Sequence, residues 1–139
     1  DEIRKQLAGE SPHQRLGTEA YTPQRSAEVY ACALSRARTA LAGGHSVIAD
    51  AVYARPEERA AIEAVAHETG VEFQGFWLDA PAEILLSRVE ARQGDASDAD
   101  AAIVRRQLGY DTGNTRWTII DASGTPAGTF MRASRLIDP

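Results

Sequence analysis

The stretch VEFQGFWLDAP at residues 71–81 decides the fold, because an apolar run ends there in an acid and a helix-opening proline follows. We predict a buried strand over residues 71–78 and a helix that begins at Pro81. Two further runs, SVIAD at residues 46–50 and TIID at residues 118–121, also place an acid directly after apolar residues. This form is typical of buried parallel strands that end at a site.

Helices are predicted between and around these strands from apolar spacing, caps and glycine or proline ends. They extend from Asp1 to Gly9, from Pro23 to Gly43, from Pro56 to Gly70, from Pro81 to Gln93, from Ala99 to Leu108 and from Pro126 to Leu136. Because strands and helices alternate, we expect one α/β domain over residues 1–139, with a parallel sheet covered on both faces in three αβα layers. Three strands are few for such a sheet.

Composition limits the class of protein. The 15 basic residues, 14 Arg and Lys5, stand against 20 acidic ones, for a net charge of −5. This balance disfavours a nucleic-acid-coating protein. The single cysteine, Cys32, cannot form an internal disulfide, so a reducing cytoplasm is expected. The charged amino-terminal residues and the lack of a long apolar run disfavour an export signal and a membrane partner.

Two arginines lie four residues apart on the predicted helix after Pro81, so Arg88 and Arg92 share one face and can clamp one anion. The stretch Gly94-Asp95-Ala96-Ser97-Asp98 follows them. Arginines that lead into such a stretch are typical of a lid over phosphates, here residues 88–100. The alternative is a solvated face paired with nearby acids.

The acid after the first strand has two open interpretations. Asp50 either caps the following turn or is delivered from a buried strand toward a magnesium ion or a substrate hydroxyl. Tyr53, three residues later, is the tyrosine best placed to face a substrate pocket. Trp117 belongs either to the core or beside a nucleotide base.

Several stretches occur in the order found in P-loop kinases. They are Asp1-Glu2-Ile3-Arg4-Lys5, Val47-Ile48-Ala49-Asp50-Ala51 with Arg59 nine residues after Asp50, Gly75-Phe76-Trp77-Leu78-Asp79-Ala80-Pro81, and Leu86-Ser87-Arg88-Val89-Glu90-Ala91-Arg92. The chain most resembles the AAA-type ATP-binding kinase domain that bacteria often carry behind an aminoglycoside-phosphotransferase-like domain. Polynucleotide kinases, zeta toxins and gluconate kinases are more distant relatives.

The resemblance implies roles on the acceptor side of the reaction. Asp1 matches the acid that accepts the proton of the attacking hydroxyl, and Arg4 matches a substrate-side arginine. Asp50 matches the acid near magnesium and substrate, and Arg59 belongs to the same motif and is also expected to bind substrate. Tyr53 is expected to bind substrate because of its position after Asp50.

The resemblance also implies a nucleotide side, with ATP and Mg²⁺ as cofactors. Arg88 and Arg92 match lid arginines that neutralise charge on the transferred phosphoryl group. Asp121, Ser123 and Gly124 match the loop beside the adenine base. The implied activity is phosphoryl transfer from ATP to a hydroxyl of a small molecule, and an upstream phosphotransferase-like domain is an expected partner.

One motif of the family does not occur in the sequence. No Gly-x-x-x-x-Gly-Lys-[Ser/Thr] is found among the 139 residues. That motif cradles the phosphates and holds Mg²⁺. The chain is therefore expected to be such a domain truncated at its N-terminus, without its first two strands and P-loop, and to be inactive alone. The other candidate function is a noncatalytic nucleotide- or protein-binding module on a kinase scaffold.

The central strand of such kinases lies in that missing part, between strands 46–50 and 72–78. These two strands are therefore expected to pair directly, to accept a strand from another copy in a homo-oligomer, or to leave exposed edges.

Overall fold

A computed structural model describes residues 1–91 and 97–137 of the chain. The order of elements is α1 (Glu2–Leu7), a short 3-10 turn (Thr18–Tyr21), α2 (Pro23–Ala42), α3 (Pro56–Thr69), β1 (Phe76–Asp79), α4 (Ala82–Ala91), α5 (Ala101–Leu108), β2 (Thr118–Asp121) and α6 (Pro126–Ile137). The fold is therefore α/β, and the predicted order of helices is confirmed. No helix in the described ranges is long and apolar enough to cross a membrane.

The helix ends follow the local signals in the sequence. Thr22 caps α2, since its hydroxyl accepts a hydrogen bond from the backbone N–H of Arg25 at 3.3 Å. At the start of α3 the Glu58 carboxylate accepts from the backbone N–H of Arg55 at 3.2 Å. Gly70 ends α3 in the left-handed conformation with φ of 71°, which glycine adopts without strain.

The sheet of the described residues has two parallel strands. Phe76 pairs with Thr118, and the register continues to Asp79 opposite Asp121. A parallel pair needs a crossover connection, which α4 and α5 supply. The carboxyl ends of both strands, and the acids predicted there, therefore meet at one edge of the sheet.

The predicted strand over residues 46–50 is wrong, and so is its direct pairing with the strand over 72–78. Residues 45–50 belong to no strand, and the Ile48 side chain is 95% exposed. An extended segment becomes a strand only by hydrogen bonding to a neighbour, and within the described residues β1 pairs with β2 alone. Among the residues that the structure describes, the other edge of β1 therefore has no partner strand. Strand sharing with another copy stays a prediction.

The predicted strand over residues 71–78 is also too long at its start. The structure begins β1 at Phe76, because β2 supplies partners only from Thr118 onward. The predicted lid falls partly outside the described residues, since Arg92 and the four residues after it are not among them.

The apolar core lies between α2, α3 and the segments that precede the strands. Its buried members are Ala37, Tyr53, Ile62 and Val65, and Tyr30, Leu34, Leu41, Val47, Phe73 and Trp117 pack against them. The rings of Tyr30, Tyr53 and Trp117 meet edge to face at 5.5 and 5.4 Å between centroids. The core interpretation of Trp117 is thus confirmed.

We predict that Val65→Ala lowers the free energy of unfolding by about 2 kcal/mol, because Val65 is 1% exposed in this core. Urea denaturation measures the change. The matched control is Val71→Ala, since Val71 is 40% exposed and its truncation removes little buried surface. Equal losses in the two variants would contradict the placement of the core.

Candidate active site

The carboxyl edge of the sheet carries an arginine that lies against a backbone loop. The Arg88 guanidinium, from α4, donates to the carbonyl of Ala122 at 2.6 Å and to that of Ser123 at 3.1 Å. It also donates to the carbonyl of Gly124. Parallel sheets bind ligands at this edge. The structure therefore brings together Arg88 and the predicted nucleotide loop.

The acid at the start of this loop is held by its neighbours. The Asp121 carboxylate accepts from the backbone N–H of Ser123 at 2.9 Å, and Arg132 donates to the Asp121 carbonyl at 3.1 Å. Hydrogen bonds from the Ser123 hydroxyl and N–H, together with the Arg132 charge, lower the pKa of Asp121 below its ordinary value. The loop therefore has a fixed, negatively charged start.

A second group of side chains surrounds the amino-terminal helix. The Asp1 carboxylate accepts from the backbone N–H of Asp98 at 3.0 Å. Arg4 donates to the carbonyl of Ala20 at 2.6 Å, and its guanidinium lies 4.7 Å from the centre of the Tyr21 ring. The predicted base and the predicted substrate-side arginine are thus neighbours, and Arg4 Nε is 3.7 Å from Asp1 Oδ1.

Beneath this group lies a buried ion pair that sequence reasoning missed. Lys5 is 1% exposed and Asp98 is 8% exposed, and Lys5 Nζ is 2.9 Å from Asp98 Oδ1. Asp98 Oδ2 accepts from the Tyr21 hydroxyl at 2.7 Å and from the Leu16 N–H at 3.0 Å. The partners lie far apart along the chain, so no local spacing indicates the pair. Its only signal is that the chain has a single lysine.

These contacts shift the pKa values of the Asp98 carboxyl and the Tyr21 phenol. Burial by itself raises the pKa of Asp98, but the hydrogen bonds from Leu16, Tyr21 and Lys5 outweigh it and hold that pKa below 3.8. Burial and the hydrogen bond to the Asp98 carboxylate raise the pKa of the Tyr21 phenol. Asp98 is therefore a carboxylate and Tyr21 a neutral donor at neutral pH.

The third group contains the residues predicted to bind substrate near residues 46–50, the segment predicted to be the first strand. Asp50 is exposed and follows an unpaired segment, so its predicted delivery from a buried strand is wrong. The Tyr53 ring is 4% exposed and lies in the core. Burial, followed by the charges of Asp50 and Glu58, raises the pKa of the Tyr53 phenol. The substrate roles of Asp50 and Tyr53 stay predictions.

Arg59 is buried and bound to backbone carbonyls. It is 3% exposed, and its guanidinium donates to the carbonyl of Tyr53 at 2.8 Å and to that of Thr112 at 2.6 Å. It also donates to Ala54 and lies 5.5 Å from the Trp77 ring. The structure gives Arg59 a structural task, the joining of α3 to the segment before β2. Its substrate role stays a prediction.

The described residues hold no group of three His, Cys, Asp or Glu side chains that could bind a metal ion. Mg²⁺, however, is commonly held by one or two carboxylates together with substrate phosphates. Asp50 is exposed, and its place near Mg²⁺ stays a prediction.

A cavity of about 350 Å³ lies at the opposite, amino-terminal edge of the two strands. Its lining includes Glu63, Arg116 and Trp117, and the Trp117 indole donates to Glu63 at 2.6 Å. None of the predicted site residues lines it. The candidate active site is therefore the carboxyl edge with its Arg88 contact, and not this cavity.

Comparison with known proteins identifies the family of residues 1–110, which include Arg88 but not the loop after β2. Residues 1–110 match the model of a family described as "AAA domain", so the chain belongs to the P-loop kinase-like AAA domains. It is 35% identical over 108 residues to the uncharacterized proteins Rv2004c of Mycobacterium tuberculosis strain H37Rv and Mb2027c of Mycobacterium bovis.

That alignment covers 75% of this chain and 21% of each relative, so the chain spans about a fifth of the length of the curated relatives it matches. No solved structure matches the chain.

We predict that Arg59→Met lowers the free energy of unfolding by about 3 kcal/mol, because it leaves buried carbonyls without donors. Urea denaturation measures the loss. Arg38→Met is the matched control, since Arg38 pairs with Glu68 on the surface with 46% of its side chain exposed. Similar stability of the two variants would show that the buried contacts contribute little.

The lowered pKa of Asp98 predicts a pH dependence. The stabilising contribution of the Asp98 carboxylate is complete at pH values above 3.8, the ordinary pKa of this group. It is lost as the pH falls through the lower pKa that Asp98 has in the folded chain. We expect Asp98→Asn to be less stable than the wild type at neutral pH, and the difference to narrow below about pH 4. Urea denaturation across pH measures this, with Glu28→Gln in an exposed ion pair as control. A constant difference would contradict the prediction.

Proposed function

We propose that this chain belongs to a kinase domain that transfers the γ-phosphoryl group of ATP to a hydroxyl of a small molecule. Membership of the AAA domain family supports a kinase-like nucleotide-binding domain. The observation that carries the proposal is the contact of Arg88 with the loop after β2. It places a guanidinium at the edge where parallel sheets bind ligands.

On the nucleotide side, the loop of Asp121, Ser123 and Gly124 lies beside the base, and Arg88 and Arg92 neutralise charge on the transferred group. Arg88 spans from α4 to this loop, and in the proposed reaction its guanidinium exchanges these carbonyls for phosphate oxygens. Arg92 lies outside the described residues, so its part in the proposal rests on the family pattern.

On the acceptor side, the Asp1 carboxylate takes the proton of the attacking hydroxyl, and Arg4 and Asp50 bind the acceptor. Mg²⁺, when bound beside Asp50, neutralises phosphate charge. Positioning and electrostatics do most of such catalysis. An active domain therefore needs the phosphate cradle that residues 1–139 do not contain. An adjoining phosphotransferase-like domain and a cytoplasmic location, where ATP is present, complete the proposal.

A second candidate is a noncatalytic nucleotide- or protein-binding module. The observation that favours it is that the guanidinium of Arg88 is occupied by three carbonyls, as a purely structural arginine would be. The two candidates differ in whether phosphoryl transfer occurs at all.

We predict that the full-length protein releases ADP from MgATP when supplied with a panel of sugars, aminoglycosides and nucleosides. Arg88→Met is expected to lower kcat about 100-fold, because it removes charge stabilisation of the transition state. Arg38→Met is the control variant, since this exposed residue lies in α2, outside the candidate site.

Two results would contradict the kinase proposal: no ADP release from the full-length wild type, or equal kcat in Arg88→Met and Arg38→Met. Residues 1–139 alone are expected to release no ADP. Turnover by this part would contradict the required role of the phosphate cradle.

A further inference from the structure

The Asp98 carboxylate is fully engaged by its neighbours. Lys5 binds Oδ1 at 2.9 Å, and the Tyr21 hydroxyl and the Leu16 N–H bind Oδ2 at 2.7 and 3.0 Å. Arg15 also donates to the Asp98 carbonyl at 3.4 Å. The segment that carries Asp98 is thereby fixed against the amino-terminal part of the chain.

The cation in this arrangement has few alternatives. Lys5 Nζ donates to the carbonyl of Pro12 at 2.9 Å as well as to Asp98. At 1% exposure the ammonium has almost no access to water. A buried charge is costly unless it is paired and hydrogen-bonded. The pair therefore defines one position of Asp98 relative to α1 and strongly disfavours others.

Fixing Asp98 has a consequence for Asp1. The backbone N–H of Asp98 donates to Oδ2 of Asp1 at 3.0 Å. The other oxygen, Oδ1, is 3.7 Å from Arg4 Nε, which is too long for a hydrogen bond. Arg4 Nε is itself buried and has no hydrogen-bond partner within the part of the chain that the structure describes. The hydrogen bond from Asp98 thus occupies Oδ2 and leaves Oδ1 to accept a proton.

We propose that Asp98 is a positioning residue for Asp1, anchored by Lys5 and Tyr21, and that it assigns proton acceptance to Oδ1. The inference rests on the proposed function. In the proposed step Asp98 makes no contact with the substrate. It holds Oδ2 through its N–H, so that the carboxylate keeps one orientation.

The acceptor hydroxyl transfers its proton to Asp1 Oδ1, and its oxygen forms a bond to the γ-phosphorus of ATP. The bond between that phosphorus and the β–γ bridging oxygen breaks, and ADP leaves with the electron pair. Arg4, with its Nε 3.7 Å from Oδ1, places a positive charge beside the oxygen that accepts the proton.

The test measures ADP release from MgATP by the full-length protein, with the same panel of sugars, aminoglycosides and nucleosides as acceptors. Lys5→Met removes the anchor and is expected to lower kcat about 10-fold, with an unchanged KM for ATP. Tyr21→Phe removes only one hydroxyl contact and is expected to give a smaller loss of kcat. It keeps the test decisive if Lys5→Met fails to fold. Arg38→Met controls for the loss of a cation at an exposed site.

A double-mutant cycle separates positioning from general stability. In an Asp1→Asn background the Lys5→Met and Tyr21→Phe changes are expected to have no further effect on kcat, because they act through Asp1. Undiminished losses in that background would overturn the positioning role.

The outcomes also separate this inference from the function on which it rests. If Asp1→Asn lowers kcat but Tyr21→Phe and Lys5→Met do not, only the positioning proposal is overturned. If the wild type releases no ADP, or Asp1→Asn has full activity, the catalytic assignment of Asp1 fails, and the role of Asp98 fails with it.

Discussion

Parallel pairing of Phe76–Asp79 with Thr118–Asp121 is the constraint on which the candidate site depends. Two parallel strands cannot be joined by a tight turn, so the chain between them must cross from one end of the sheet to the other. That crossover includes α4, and α4 supplies Arg88. The same pairing brings the loop after β2 to the edge that Arg88 reaches. One ladder of backbone hydrogen bonds thus positions a side chain and its contact surface together.

Local features of the structure could be predicted from the sequence. The proline entries at Pro23 and Pro56, the glycine after α3 and the acid at the end of β2 each act within a few residues, and the structure has them where expected. The strand over residues 46–50 was predicted from the same kind of local pattern and did not form. Its residues are apolar enough for a buried strand. A strand also needs a hydrogen-bonded neighbour from a distant part of the chain, and a short window of sequence does not show whether that neighbour is present.

The polar contacts also divide into those that could be predicted and those that depend on distant segments of the chain. The grouping of Arg88 with residues 121–124 was accessible through family resemblance, because the resemblance assigned both to the nucleotide side. The tasks of Arg59 and Lys5 were not accessible, since each depends on carbonyls or a carboxylate contributed by distant segments. Periodicity places a residue on a face of its helix. It does not predict which Arg or Lys side chain forms a buried hydrogen bond or ion pair.

The burial of Lys5 has a practical consequence for labelling. It is the only lysine among 139 residues, and at 1% exposure its ammonium is closed to reagents that acylate primary amines. Lysine-directed crosslinkers and dyes will therefore find no accessible ε-amino group on the folded chain. Acylation of Lys5 requires α1 to separate from Asp98. The rate of acylation therefore measures the local opening of this contact.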